Sequence, residues 1–543
     1  MHLMRPVAIA LLTLLLLTAA GRTRAAQPIP APAELEAAGA RIGSITIRAL
    51  DIFDTSDPAE NKALYRAANR WHRRTRESVL RAQLLFASGD RYSQRLLEET
   101  ERNLRELRFL REPTIRVVAW HDGVVDVEVV THDVWTLQLG PSFSRGGGHS
   151  STGFSVEDQN LFGHGKTLSV GTSSDVDRHA NVFSWYDPAV WNSRWQDQLY
   201  WSDNSDGQVW YAAAWRPFYS LDARRAYGLL FGNGSTLDKR YRLGDEFDRY
   251  RHELDWLDAY VGWSRGLESG RALRLRAGVA IQRDLFRTEA GVTTLAPVPR
   301  DRRLNYPYLR VDWIRDRFRT TTNFELIART EDQQLGLNAN LTLGAASRSF
   351  GADRSATIYA GAATYGKEFS QGRQLFLNST LGGRLEGGAG VDQRWSFAAA
   401  WYQRTSQRTL FHAKYTVAGG SRLDLDHYYQ LGGDNGLRGY PLRYQQGSGM
   451  NLFKVEERVY TPWSLWRLLD IGAAAFIDAG RVTGPNPVGA PALGWLRDAG
   501  VGLRLGNSRS SLGNVFHIDI ATPLDGESRL DRWQLLVSTE ATF

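Results

Sequence analysis

The chain contains no cysteine. That excludes a disulfide-stapled exported scaffold, a thiolate-ligated metal centre and a lipid anchor on an N-terminal cysteine. Proline is scarce, at 18 of 543 residues, whereas glycine reaches 52. Such a balance suits many tight turns and small strand positions, a habit of all-β folds. A mean hydropathy of −0.38 is too low for a bundle of membrane-spanning helices. Basic blocks are also missing: the net charge of +7 is spread along the chain and offers nucleic acid no patch. What is abundant is aromatic, with 18 Trp, 21 Tyr and 22 Phe, which a disordered chain would not carry.

Residues 1–26 read as a secretory signal, with Arg5 ahead of an apolar run from Val7 to Ala20 and small residues at Ala19–Gly21 and Ala25–Ala26. The run falls short of the roughly 20 residues that span a bilayer as a helix. An exported chain without disulfides must stabilise itself by a large core or by closing a sheet. Residues 27–40, rich in Pro and Ala, read as a linker.

A small α/β unit is expected over 41–131. Ile42–Ile52 alternates as a strand. A helix is expected from Thr75 as N-cap to Gly89, and a second from Ser93 with Leu97, Thr100, Leu104 and Leu107 on one face. A hairpin follows, TIRVVAW and VVDVEVV about the His121–Asp122–Gly123 turn, where Asp-Gly supplies positive φ. This β-α-α-β-β order resembles a POTRA domain, and LLFASGDRYSQRLLEETERNLRELRFL is similar to that family's helix-turn-helix; a generic α/β module has the same order.

From Trp135 onward, period-two alternation dominates. In Leu273–Ile281 the odd positions Leu273, Leu275, Ala277, Val279 and Ile281 are apolar, and the even ones include Arg274 and Arg276. One face suits lipid and the other a polar lumen. The same pattern recurs at Leu257/Ala259/Val261/Trp263, Phe411/Ala413/Tyr415/Val417 and Ala499/Val501/Leu503/Leu505, and Trp533, Leu535 and Val537 lead to the terminal Phe543. The fold class is therefore mainly β: a transmembrane antiparallel β-barrel over 135–543 preceded by one α/β domain. Sixteen strands give about 25 residues per strand with its loop, which suits strands of about 10 residues. Fourteen or eighteen fit the arithmetic as well.

Several motifs make the likeness specific. LGGDNGLRGYP (Leu431–Pro441), FIDAG (Phe476–Gly480), GVGLRLG (Gly500–Gly506), HIDIATPL (His517–Leu524) and EDQNLFGHGKTL (Glu157–Leu168) stand in the order found in the Omp-eighty-five superfamily. The chain resembles these surface-antigen barrels, the BamA, TamA and two-partner secretion types, over essentially all of its mature length. It departs from them in having room for one POTRA domain only and in lacking the Gly often found in the terminal strand signal. The resemblance implies an outer membrane with the POTRA domain in the periplasm, and an extracellular loop, here 420–447, folded back into the pore with Arg438, Gly439 and Tyr440 at its tip. Alternation independently points Asp478 into the lumen. A guanidinium fork matches a carboxylate, so Arg438 is expected to pair with Asp478, with Glu456 as the alternative partner.

The expected function is insertion or transport of client polypeptides. The expected seam lies between the first and last strands, at Leu137, Leu139 and Pro141 on one side and Leu535, Val537 and Phe543 on the other. Pro141 removes a ladder donor there or marks the domain junction. Client segments are expected to add to the POTRA edges at Ile45 and Ile47 or at Ile115 and Val117. Expected partners are outer-membrane lipid, extended client polypeptides, periplasmic accessory proteins or a second copy of the chain, with no nucleic acid.

The alternatives are a two-partner-type secretion pore, a plain channel and, more distantly, a barrel-borne hydrolase. No enzyme, cofactor or metal is expected. Asn160–Thr167 misses the first Gly of a phosphate-binding loop, Trp256 stands where a zinc-protease string after His252–Glu253 needs its second His, and His149, Ser150 and Ser151 lack a nucleophile elbow.

Overall fold

The computed structural model describes residues 28–290, 294–511, 515–525 and 530–540. The expected signal, 1–26, and Phe543 of the expected seam lie outside them. The N-terminal elements are α1 (Pro32–Ala37), β1 (Arg41–Leu50), α2 (Ala63–Trp71), α3 (Glu77–Gln83), α4 (Gln94–Glu106), β2 (Leu110–His121) and β3 (Val124–Asp133). The three strands form one sheet in the order β1-β3-β2, which leaves β1 and β2 as its edges. Along β3, Val125, Val127 and Val129 are buried while their neighbours are partly exposed. The β2–β3 turn has Asp122 at φ 48° and Gly123 at φ 79°, the left-handed pair that Asp-Gly tolerates.

Two helices go beyond the expected order. α1 occupies part of the stretch read as a linker, with Pro32 in its first turn and its N-terminus capped by Glu34, which accepts from the Ala31 N–H at 3.1 Å. α2 separates β1 from the first expected helix. Both are too short, at 6 and 9 residues, to show a helical period in the sequence. Thr75 does not cap α3. Its hydroxyl and N–H donate to Asp133 at 2.9 and 2.7 Å, and it accepts from Asn160 Nδ2 at 2.8 Å.

The described residues from Leu137 onward build a closed sheet with two small strand pairs beside it. Its first half comprises β4 (Leu137–Gly146), β5 (His149–Asp158), β6 (Thr167–Ser174), β7 (His179–Asp187), β8 (Gln196–Asn204), β9 (Gly207–Arg216), β10 (Arg225–Arg242), β11 (Asp245–Glu268), β12 (Arg271–Arg287) and β13 (Arg302–Arg315). A small hairpin, β14 (Phe318–Thr322) with β15 (Thr330–Gln334), interrupts the series. The barrel resumes with β16 (Gly336–Ala346), β17 (Ala356–Ser370), β18 (Arg373–Glu386), β19 (Ala389–Arg404) and β20 (Thr409–Ser421). A second small pair, β21 (Tyr429–Leu431) with β22 (Gln445–Gly447), precedes β23 (Gly449–Leu465), β24 (Leu469–Thr483), β25 (Leu496–Gly506), β26 (Val515–Pro523) and β27 (Gln534–Glu540).

Each barrel strand pairs with the next, and β27 returns to β4. Among the described residues the count is twenty strands, not the expected sixteen. Turns account for the difference: two residues suffice at Gly147–Gly148, Leu243–Gly244, Ser269–Gly270 and Gly387–Gly388, so a strand with its turn uses about 20 residues. Alternation survives the recount. Leu273, Leu275, Val279, Ile281, Leu341, Leu343, Val501 and Leu503 face outward and exposed, while Arg504, Asp498, Asp478, Glu456 and Arg458 are buried inside.

We call the end where the chain enters β4 proximal and the opposite end distal. Most proximal turns are short, but residues 316–335 between β13 and β16 carry the β14–β15 hairpin, whose tip turns into the lumen. Phe324 and Ile327 are buried there among Ala400, Tyr402, Leu410, Tyr460 and Val515. Glu331 draws the tip together, accepting from the N–H groups of Phe324, Glu325 and Leu326 at 2.9, 2.9 and 3.1 Å. Burial pushes its carboxyl up to about 7 despite those donors. An unfolded glutamate releases its proton near ~4.3, so between that value and about 7 the folded hairpin holds a proton that the unfolded one does not. The tip should therefore be most secure below that window and loosen as pH rises through 7. Hydroxyl-radical footprinting of Phe324–Ile327 should show rising exposure from pH 5 to pH 8.5 in the native protein and none of that dependence in Glu331→Gln.

Candidate functional site

Residues 422–448 leave the distal rim and return into the lumen, and the site is built around their turn. Gly439 sits hard against the wall. A Cβ there would meet Asp498 Cβ at 2.6 Å and the Pro523 nitrogen at 2.9 Å, so only glycine lets the tip reach this depth. Tyr440 is fully buried and donates its hydroxyl to the Arg497 carbonyl at 3.0 Å; its ring lies beside Tyr444, 5.7 Å between centroids. The apolar side of the tip, with Leu431 and Leu437, packs with Leu452, Val482 and Leu496.

Arg438 is held from three strands. Nε and Nη2 donate to the two oxygens of Asp478 on β24 at 2.7 and 3.0 Å. Nη1 donates to Glu456 on β23 at 3.1 Å and to Asp519 on β26 at 3.2 Å. Its guanidinium carbon lies 3.2 Å from the centroid of the Phe476 ring. Arg438 is 7% exposed and Asp478 0%, so water screens this layer little. Burial works against the charge of Arg438, but the surrounding carboxylates outweigh it and hold the guanidinium's proton more firmly than usual. Arg458 and Arg504 extend the layer, donating to Glu456 at 3.0 and 3.2 Å, and Arg504 also pairs with Asp519.

Asp478 and Glu456 are thus not alternative partners; the structure brings both to Arg438. Sequence reasoning missed Asp519, Arg504 and Phe476. They lie in HIDIATPL, GVGLRLG and FIDAG, and Asp519 with His517 alternates against outward Phe516, Ile518 and Ile520, a signal that could have found it.

The same segment reaches the first hairpin of the barrel. The Leu442 N–H donates to the Gly147 carbonyl at 3.1 Å, and Cβ atoms at Gly147 or Gly433 would run into backbone at 2.1–2.5 Å. Arg443 makes a two-pronged bond to Asp177 at 2.9 and 2.6 Å in the β6–β7 turn. One segment therefore touches strands on both sides of the junction between β27 and β4. That junction is thin: β4 pairs with β5 along Leu137–Gly146, and β27 with β26 along Val515–Ala521, yet among the described residues β27 and β4 pair only at Val537 opposite Arg145. Leu137, Leu139, Pro141 and Leu535 are exposed along it.

In the N-terminal sheet, Ile45 and Ile47 lie on edge β1 and Ile115 and Val117 on edge β2. Among the described residues one group, Asp392, Asp424 and His427, comes within metal-ligand reach. Asp424 already accepts two bonds from Arg384 at 2.6 and 2.9 Å and one from Arg302 at 3.1 Å, so its charge is matched without an ion. His252 lies between Asp238 and Asp284 at 2.9 and 3.2 Å, and the Ser150 hydroxyl accepts from Arg145 at 2.8 Å.

No family model and no curated protein matches the sequence. Among solved structures, the chain is similar to BamA from Haemophilus ducreyi lacking POTRA domains 1–3, at 13% identity and a TM-score of 0.40 over 91% of this chain and 85% of that one. It is similar to CdiB from Acinetobacter baumannii at 12% identity and a TM-score of 0.46, over 92% and 74% of the two chains. CdiB from Escherichia coli gives 14% identity and a TM-score of 0.46, over 91% and 75%.

Removing Arg438 strands three buried carboxylates with only Arg458 and Arg504 to share. Arg438→Ala should cost about 3–5 kcal/mol, and Arg438→Lys, which keeps the charge but cannot form the fork, somewhat less. Thermal unfolding in detergent measures the loss; an Arg438→Ala barrel as stable as the native one would show that the layer does not hold the loop.

Proposed function

We propose that the chain is an outer-membrane barrel of the Omp-eighty-five type that inserts or translocates client polypeptides, with the N-terminal unit acting as a periplasmic POTRA domain. The observation that carries the reading is the β27–β4 junction, which among the described residues pairs at one position while every other pair of neighbouring barrel strands pairs at six or more. An apolar outer face with Leu273, Val279, Leu309, Leu341, Val501 and Ile520 exposed cannot face water over such an area and fits a bilayer. In lipid, unpaired backbone groups are costly, so a seam left unpaired is a place where an added strand gains most. The strap from the Asp478 wall to Gly147 lies inside that seam and supports a part in holding it shut.

The sheet edges at β1 and β2 support capture of extended segments by strand addition. A proline at Ile45 or Val117 removes a donor at an edge without removing residues 49–83 and 102–113, which cluster with the barrel.

The experiment is a staple. Cysteines at Arg145 and Val537, in a chain with none of its own, should form a disulfide on oxidation that abolishes client insertion and leaves the heat-modifiable barrel intact; reduction should restore activity. Ile45→Pro and Val117→Pro should lower client handling without altering the barrel. A stapled barrel that works as well as the reduced one removes lateral opening, and a secreted partner that crosses it would favour the secretion-pore reading.

A further inference from the structure

We propose that the β14–β15 hairpin is a proximal plug of the lumen, and that Glu456 and Arg458 couple its seat to the distal loop. The inference rests on reading the barrel as a membrane pore, and it goes beyond that reading in assigning a second inward gate at the opposite mouth.

A barrel connection needs two residues, as the turns at Ser269–Gly270 and Gly387–Gly388 show, yet 316–335 spends twenty and folds them into a paired hairpin of its own. A longer connection floating in solvent would be polar at its tip. This one presents Phe324 and Ile327, which are 7% and 5% exposed. Phe324 stacks on Tyr402 with 4.0 Å between ring centroids and meets Phe376 edge-on. Ile327 is seated against two wall positions that lack side chains: a Cβ at Gly506 would meet it at 2.5 Å and one at Gly472 at 3.5 Å. Arg458 and Tyr460 donate to the Phe324 carbonyl at 3.0 and 3.4 Å, and the Tyr402 hydroxyl donates to Glu325.

The base is fixed as firmly. Arg105, in the last turn of α4, makes a two-pronged bond to Asp332 at 2.6 and 2.9 Å, and Arg329 donates to the Leu110 carbonyl at 3.2 Å. Beside the hairpin remains a cavity of about 820 Å³ lined by Arg111, Arg329, Lys414 and Arg509 as well as Tyr402. The tip has space to shift into.

The two inward segments nearly meet. On β23, Glu456 accepts from Arg438 of the distal loop and from Arg458, and Arg458 donates onward to Phe324 of the hairpin. A single guanidinium–carboxylate–guanidinium chain thus joins the loop tip to the plug tip. Withdrawing Arg438 leaves Glu456 to Arg458 and Arg504 alone, which draws Arg458 harder toward it and changes what Arg458 offers the Phe324 carbonyl.

The test places one cysteine at Ala400, which is 6% exposed and packs in the hairpin's seat, and reads its modification by a water-soluble maleimide in folded barrel reconstituted in phospholipid vesicles. Replacing 316–335 with Asn-Gly, and separately Ile327→Asp in the full-length chain, should each raise the rate on the order of tenfold as the seat is opened to water. In a background whose distal loop is shortened, the same changes should raise ion conductance by a similar order. Arg438→Ala with the hairpin intact should also raise Ala400→Cys modification. Unchanged modification in a heat-modifiable Ile327→Asp barrel would overturn the plug, and unchanged modification in Arg438→Ala would overturn the coupling. A native chain that forms no heat-modifiable barrel in vesicles would instead overturn the membrane reading on which both rest.

Discussion

A closed sheet of twenty strands, paired along its described length except at the β27–β4 junction, encloses a space that side chains alone do not fill, and the charge layer around Arg438 settles what occupies it. Five inward groups from the wall, Asp478, Glu456, Asp519, Arg458 and Arg504, would each be costly to bury singly. Arg438 arrives from the distal loop and balances the acidic excess among them, with the fork geometry that a carboxylate accepts in two bonds. The depth of the loop, the glycine at 439 and the seat of the hairpin follow from where that layer stands.

The layer also explains why the barrel can tolerate a poor junction. Between β27 and β4 the ladder holds at Val537 and Arg145, while the loop grips Asp519 on one side and Gly147 on the other. Closure is therefore shared between backbone pairing and a buried tether. A tether made of ion pairs has discrete on and off arrangements, whereas a fully zipped ladder opens only by losing many hydrogen bonds together.

At the proximal end, polar contacts are specific where the chain must bend. Asn160 accepts from the Gly165 N–H at 2.6 Å and donates to Thr75, and a Cβ at Gly163 would meet the Arg74 carbonyl at 2.3 Å. The string that nearly spells a phosphate-binding loop is thus a turn shaped by the segment it packs on. Gly163 answers to close backbone approach and Gly165 to the Val79 and Phe109 side chains, both at positive φ.

The sequence by itself determined the direction of side chains. A period of two has one solution on a strand, so Leu273 and Val501 outward and Asp478 inward could be read without coordinates. It also determined the Asp-Gly turn at 122–123, because few residues accept positive φ. Tertiary structure decided how many strands share the closure, since that depends on turn lengths that alternation does not mark. It decided that Thr75 binds Asp133 instead of capping a helix, and that FRTTT and TEDQQ leave the barrel to form an inward hairpin although they are as strand-like as their neighbours. It decided the company of Arg438 as well: a fork predicts a carboxylate, but which three of the inward carboxylates converge is fixed by the register of β23, β24 and β26 around a closed wall.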